Sequence, residues 1–239
     1  MESKGVLLVT KSKLSPPIFY EGDTVEEKID SAYRKFRAEF MNKDKRPLYR
    51  GKFIFFNVST NYKFIDESAR SEEDRFRDVT LSKAERFYHI ISIDKKEHIQ
   101  VFPCYNTYEY ECCDVECETS KARGELLYLN RVECLYRLCR IHRISEVIEL
   151  ANENDKYIEE WEEEERDKKG NKICKIYIRY TYGNDDYIVI LKKKKSRGNS
   201  ICYEFITAFP VFLKRSKQQY RDAYLKYRKS TGNKKGWVS

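Results

Sequence analysis

The chain has 239 residues, 41% of them hydrophobic, enough to fill the core of one large domain, which excludes a disordered chain or a disulfide-held miniprotein. No apolar run nears the roughly 20 residues that cross a bilayer, and Met1 to Thr10 lack the apolar core of a secretory leader, so a cytoplasmic protein without membrane contact is expected. The formal net charge of +8 is unevenly spread: residues 1–167 carry 28 basic and 35 acidic side chains, whereas residues 168–239 carry 19 and 4.

The first predicted helix runs from Val25 to Met41. Thr24 and Glu27 have capping-box spacing, and Val25, Ile29, Ala32, Phe36 and Phe40 form one apolar stripe. A strand is predicted over Lys52–Val58, then an exposed loop or short helix over Ile65–Val79. Ser82 with Glu85 has the spacing of a second capping box, and Ala84, Phe87, Tyr88 and Ile91 trace an apolar face with His89 at its edge. An irregular cysteine-bearing stretch follows Pro103. Arg131–Asn152 reads as helix, with a break near His142 where Ser145 starts a new helix. The acidic run Glu159–Glu165, around Trp161, reads as a solvated helix or loop that also shields the basic half.

Beyond Gly170 the period changes from helical to alternating. Ile173–Tyr182 and Tyr187–Leu191 are strands of a hairpin turned at Gly183-Asn184, and Ser200–Phe209 is a third strand ended by Pro210. Tyr220, Ala223, Tyr224 and Tyr227 then line one face of a final helix that packs back on the sheet. The expected fold class is therefore α+β, with helices followed by a small antiparallel sheet and a C-terminal helix. Three regions are expected: an N-terminal helical and strand extension (1–79), a main domain (80–230) and a basic tail (231–239).

A surface with this excess of Lys and Arg attracts phosphodiesters, because each neutralised phosphate releases a counterion. Aromatic side chains among the charges offer faces on which unpaired bases stack. Lys175, Arg179, Lys217 and Arg221 are the candidate RNA contacts. Only His89, His98 and His142 offer imidazole for proton transfer near neutral pH. His89 reads either as a core-edge histidine or as a general acid or base. Thr207 reads as an ordinary strand residue or as a hydroxyl facing a cleft. Arg137 and Arg140, three apart on one helix side, and Arg179 are surface cations or a clamp for a phosphate. Tyr187 is a sheet residue whose polar tip can face the same cleft. RNA carries its own nucleophile in the 2′-hydroxyl, so its cleavage needs only a base, an acid and cations for the phosphorane charge.

The order of these motifs resembles a family. Glu85-Arg86-Phe87-Tyr88-His89-Ile90, then Arg137-x-x-Arg140-Ile141 leading into Val147-Ile148-Glu149, Ile158–Glu162 around Trp161, Asp186–Leu191, and Phe205–Val211 before Lys217–Tyr227 are similar to a phage- and prophage-associated branch of the BECR nuclease superfamily, which joins barnase, EndoU, colicin and RelE-like nucleases. The resemblance covers about residues 80–230. It implies a compact sheet with helices before it, metal-independent RNA cleavage without a cofactor, a toxin or phage-conflict role, and an antitoxin or immunity protein as partner. Its functional positions map onto His89, Arg137, Arg140, Tyr187 and Thr207. Where relatives carry a Pro-Trp pair after the second arginine, this chain has His142-Arg143. The rival expectation is a non-catalytic nucleic-acid-binding or phage-associated interaction protein with the same fold. The cysteines Cys104, Cys112, Cys113 and Cys117 are close enough for a structural zinc, but their C-x7-C-C-x3-C spacing is not a paired CxxC pattern, and free thiols are the favoured reading.

Overall fold

The computed structural model describes residues 11–65, 71, 76–94, 124–167, 170–195, 200–212 and 214–232. Thr24 caps helix α1 (Val25–Phe36) through the expected reciprocal box with Glu27, and a π turn, Arg37–Met41, carries the helix on to the predicted end. Ile29, Ala32, Phe36 and Phe40 are buried on one side, as their spacing requires. Strands β1 (Leu48–Tyr49) and β2 (Lys52–Phe55) follow, then a separate pair, β3 (Asn61–Ile65) with β4 (Phe76–Thr80). Helix α2 (Glu85–Ile91) leads directly into β5 (Ser92–Asp94), which pairs with β6 (Arg131–Glu133). The second capping box does not form: Ala84 occupies the N-cap position, while the Ser82 backbone N–H and hydroxyl both donate to Glu125.

The long helix expected over 131–152 is three elements: β6, a single turn α3 (Leu135–Leu138) and α4 (Arg143–Asn152). Ser145 lies inside α4 rather than at its cap, because the chain turns earlier, at Cys139 to His142. The C-terminal part contains β7 (Ile158–Arg166), β8 (Lys172–Tyr182), β9 (Asp185–Lys195), β10 (Ile201–Pro210) and α5 (Lys214–Ser230). Gly183, at φ +58, makes the two-residue turn between β8 and β9, a conformation that favours glycine.

The acidic run is a strand. Its glutamates meet bases on the neighbouring strands: Glu159 with Arg179, Glu165 with Lys175 at 2.6 Å, and Glu162 with Lys193 at 3.2 Å. These cross-strand partners, with Trp161 stacked on Tyr177, override the helical preference of a glutamate run.

The resulting architecture is mixed α+β. One six-stranded sheet has the order β1-β2-β10-β9-β8-β7, antiparallel except where β2 runs parallel to β10. The sheet is therefore larger than the three-stranded one expected, and residues 1–79 contribute two of its strands. Its inner face packs on α1, α2 and α4 through Ile54, Tyr180, Tyr187, Val189, Leu191, Phe205 and Ala208. No break in the core coincides with residue 79, since α1, β2 and β10 share that cluster. The outer face carries a second cluster, Trp161, Tyr177, Ile188 and Ile190, covered by Tyr220, Ala223, Tyr224 and Tyr227 of α5. Tyr49 on β1 donates to Glu160 on β7 at 2.6 Å, although these are opposite edges of the sheet. Five strand spacings of about 4.8 Å would hold them far apart in a flat sheet, so the sheet is curled around α4.

Among the described residues no helix is long and apolar enough to cross a membrane.

Candidate anion-binding cleft

A cleft of about 320 Å³ opens where α2, β6, α3, the last residues of β10 and the first turns of α5 converge. Its position follows from the pairing of β10. Strand β2 bonds β10 only at Tyr203 and Glu204, so beyond Phe205 that edge faces α2 instead of a strand. There β10 is bulged: Phe205 pairs with Leu191 but Thr207 with Ile190, leaving Ile206 as the extra residue. Arg86 of α2 donates from Nη1 to the Ile206 carbonyl at 3.2 Å, satisfying an acceptor that the ladder does not use.

The bulge also corrects the simple alternation. Period two would put Ile206 and Ala208 on one face and Thr207 on the other. Instead Phe205 and Ala208 belong to the inner core, whereas Ile206 packs in the outer cluster and lines the cleft together with Thr207.

Four arginines line the cleft: Arg86, Arg131, Arg137 and Arg215. Two of them are held by one residue. Ser92, fully buried after α2, accepts at its Oγ from Arg131 Nε (2.6 Å), and its carbonyl accepts from Arg131 Nη2 (2.9 Å) and Arg137 Nη1 (2.6 Å). The Ser92 hydroxyl in turn donates to the Tyr88 carbonyl, so the clamp is anchored at the C-terminal end of α2. That end carries partial negative charge, which favours the adjoining cations. Arg137 is further fixed over the Phe209 ring at 4.8 Å. Among the described residues lining the cleft there is no carboxylate, so an anion entering it meets four guanidiniums.

His89 lines the same cleft on α2, its side chain 32% exposed, with Nε2 3.4 Å from Oε1 of Glu85 one turn earlier. The contact with His89 holds the Glu85 carboxyl below the usual carboxylate range. Thr207 and Ser216 add hydroxyls, and Phe209, Phe212 and Tyr220 add aromatic walls.

Of the candidate residues, His89, Arg137 and Thr207 meet in this cleft although 48 and 70 positions separate them in sequence. Arg140 does not line it. Its guanidinium lies 3.5 Å from the Tyr136 ring centroid and donates to the Tyr136 carbonyl, because the single-turn α3 ends before a second helical turn can align it with Arg137. Tyr187 points into the inner core, and burial pushes its hydroxyl well above the usual range. Arg179 is buried beneath α5 in a fork with Asp186, at 2.8 and 2.6 Å, and reaches Glu159 at 3.2 Å. Burial opposes its charge, and these carboxylates more than offset that, raising its pKa. Lys175 is paired with Glu165, Arg221 stands 4.0 Å from Glu159, and Lys217 is half-buried on α5; none of the four candidate RNA contacts lines the cleft. The cysteine quartet Cys104, Cys112, Cys113 and Cys117, and His98, lie outside the described residues. Cys134 and Cys139 are buried thiols, and Cys174 and Cys202 are half-buried ones.

Sequence reasoning missed Arg86, Arg131 and Arg215. Arg86 had a usable signal, since it stands three residues before His89 and so on the same helix side. Arg131 had none, because the segment around it reads as helix and is a strand.

No family model matches this chain, and neither a curated protein nor a solved structure gives a significant match.

Proposed function

We propose that the protein is a metal-independent RNA endonuclease of toxin or phage-conflict type, acting at the arginine-lined cleft. The observation that carries the proposal is the convergence of His89 with Arg86, Arg131, Arg137 and Arg215 around one volume. In-line attack of the 2′-hydroxyl on its own phosphate requires loss of that proton, protonation of the departing 5′-oxygen and stabilisation of charge on the phosphorane. His89 is the one described imidazole lining the cleft and takes one of the two proton transfers. The guanidiniums supply the charge, and Ser92 keeps two of them fixed so that little reorganisation accompanies the reaction. Thr207 contributes a hydroxyl that hydrogen-bonds a phosphate or ribose oxygen. The products are a 2′,3′-cyclic phosphate and a 5′-hydroxyl. Arg140, Tyr187 and Arg179 have no part in this scheme, because their polar groups are used or buried elsewhere.

The second reading, a nucleic-acid-binding module without catalysis, draws on the single imidazole, since an acid and a base are both required. Incubation with RNA in the presence of EDTA separates the two. Cleavage to cyclic-phosphate ends that disappears in His89→Ala supports the nuclease; binding without cleavage supports the module.

A further inference from the structure

We propose that the outer face of β2 and β10 is a base-stacking subsite for single-stranded RNA, with Phe53 and Phe55 as its platforms. The proposal rests on RNA being the ligand of the cleft and names the form of RNA and where it runs. Phe53 and Phe55 are 66% and 57% exposed, while Ile54 between them is fully buried in the inner core. Alternation on β2 therefore puts both rings on the outer face. Scattered exposed apolar residues are ordinary, but two phenylalanines on one face, with the exposed Leu48 paired beside Phe53, make a patch.

That patch runs into the cleft. Glu204 of β10 is the direct neighbour of Phe55 on one side and of Lys192 on the other, so the three share the outer face. Three residues further along β10, Thr207 pairs with Ile190, which belongs to the outer cluster. At about 3.3 Å per strand residue, with one residue taken up by the bulge and one strand spacing of about 4.8 Å between β2 and β10, Phe55 lies roughly 8–11 Å from Thr207, a span of about one or two nucleotides. Phe53 and Phe55 stand about 6.6 Å apart along the strand, which lets consecutive bases of an extended chain each meet a ring.

The occupant follows from charge and width. Lys192 and Lys194 stand on the same face, and its carboxylate, Glu204, is paired with Lys194 at 2.7 Å. With the cleft arginines at one end, the strip attracts a polyanion. Helix α5 covers the β7, β8 and β9 part of the outer face and the Ile206–Phe209 end of β10, so the bare part, β1, β2 and the first half of β10, is about three short strands wide and admits one strand. Duplex bases are stacked and shielded within an A-form helix and cannot reach the rings. A second copy of the chain has little to pair with: β1 is two residues long and its edge is drawn toward β7 by Tyr49 and Glu160.

The test uses the full chain carrying His89→Ala, so that RNA stays intact, with a fluorescein-labelled single-stranded RNA decamer and a blunt duplex of the same sequence. Phe53→Ala with Phe55→Ala lowers decamer affinity at least about tenfold, leaves duplex affinity and the salt dependence unchanged, and is rescued by Trp at both positions. Unchanged decamer affinity, or an equal loss on both RNAs, overturns the subsite while leaving RNA binding at the cleft intact. A dimer that the double substitution dissociates without affecting RNA overturns it in favour of a second copy. No binding of either RNA by the parent overturns both the subsite and the functional reading.

Discussion

Two groups of cations lie on and beside this sheet, and they meet different partners. Around β7, β8 and β9, Lys175, Arg179 and Lys193 meet the glutamates of β7 and Asp186, so these three cations are neutralised. At the other end of β10, Arg86, Arg131, Arg137 and Arg215 converge on one cleft, where the Ile206 carbonyl holds Arg86, Ser92 holds Arg131 and Arg137, and the Phe209 ring also fixes Arg137. The difference teaches that local charge excess does not locate an anion site. A carboxylate partner cancels a cation's field, whereas a carbonyl or a ring positions a guanidinium without cancelling its charge.

The largest expected effect breaks the neutralised group. Arg179 and Asp186 side chains are each 5% exposed, so Arg179→Met leaves Asp186 buried without a cation and Glu159 with only Arg221, at 4.0 Å. Removing one partner of such a pair costs about 3–5 kcal/mol, read as a lower urea midpoint, and adding Asp186→Leu restores much of it. RNA affinity at a permissive temperature stays the same. A stable Arg179→Met with weakened RNA binding would put Arg179 back among the RNA contacts.

The next effect belongs to the cleft. His89→Ala is expected to lower cleavage by roughly 10²-fold or more, the usual range for a general acid or base, with the urea midpoint nearly unchanged because the side chain is partly exposed. Smaller again is Arg215→Ala, at an exposed position in the first turn of α5. Stability should move by no more than about 0.5 kcal/mol. The slope of log affinity against log salt on single-stranded RNA should flatten by about 0.7, the share of one phosphate contact. An unchanged slope would remove Arg215 from the anion site.

Much of the fold was legible because its signals are local. The Thr24–Glu27 box, the Gly183-Asn184 turn and the tyrosine stripe of α5 each depend on residues a few positions apart. The failures have a common cause in long-range pairing. Glu159–Glu165 becomes a strand only because bases on β8 and β9 lie across from it, and β2 joins the sheet through β10, about 150 residues later. In the cleft, His89, Arg137 and Thr207 could be nominated from residue chemistry and family resemblance. The bulge at Ile206 and the Ser92 clamp could not, since neither has a signature short of the folded geometry.

The last contrast is between the two described histidines. His89 is partly open and faces a carboxylate, whereas His142 is packed against Tyr20, Phe36 and Phe40. Burial lowers the His142 pKa below its ordinary 6.5; Glu146 opposes that shift, and Arg143 and Lys35 reinforce it. The sign follows from linkage. A proton binds the unfolded chain more tightly than the folded one, so the stabilisation is fully present above pH 6.5 and is lost as pH falls through the folded value. One such group changes stability by at most about 1.4 kcal/mol per pH unit. The difference in urea stability between the parent and His142→Asn should therefore shift in favour of the variant as pH drops from 7 to 5.5, while the pH profile of cleavage keeps its shape. A cleavage profile that moves with His142→Asn would mean that the interior histidine, and not only the one in the cleft, is coupled to the chemistry.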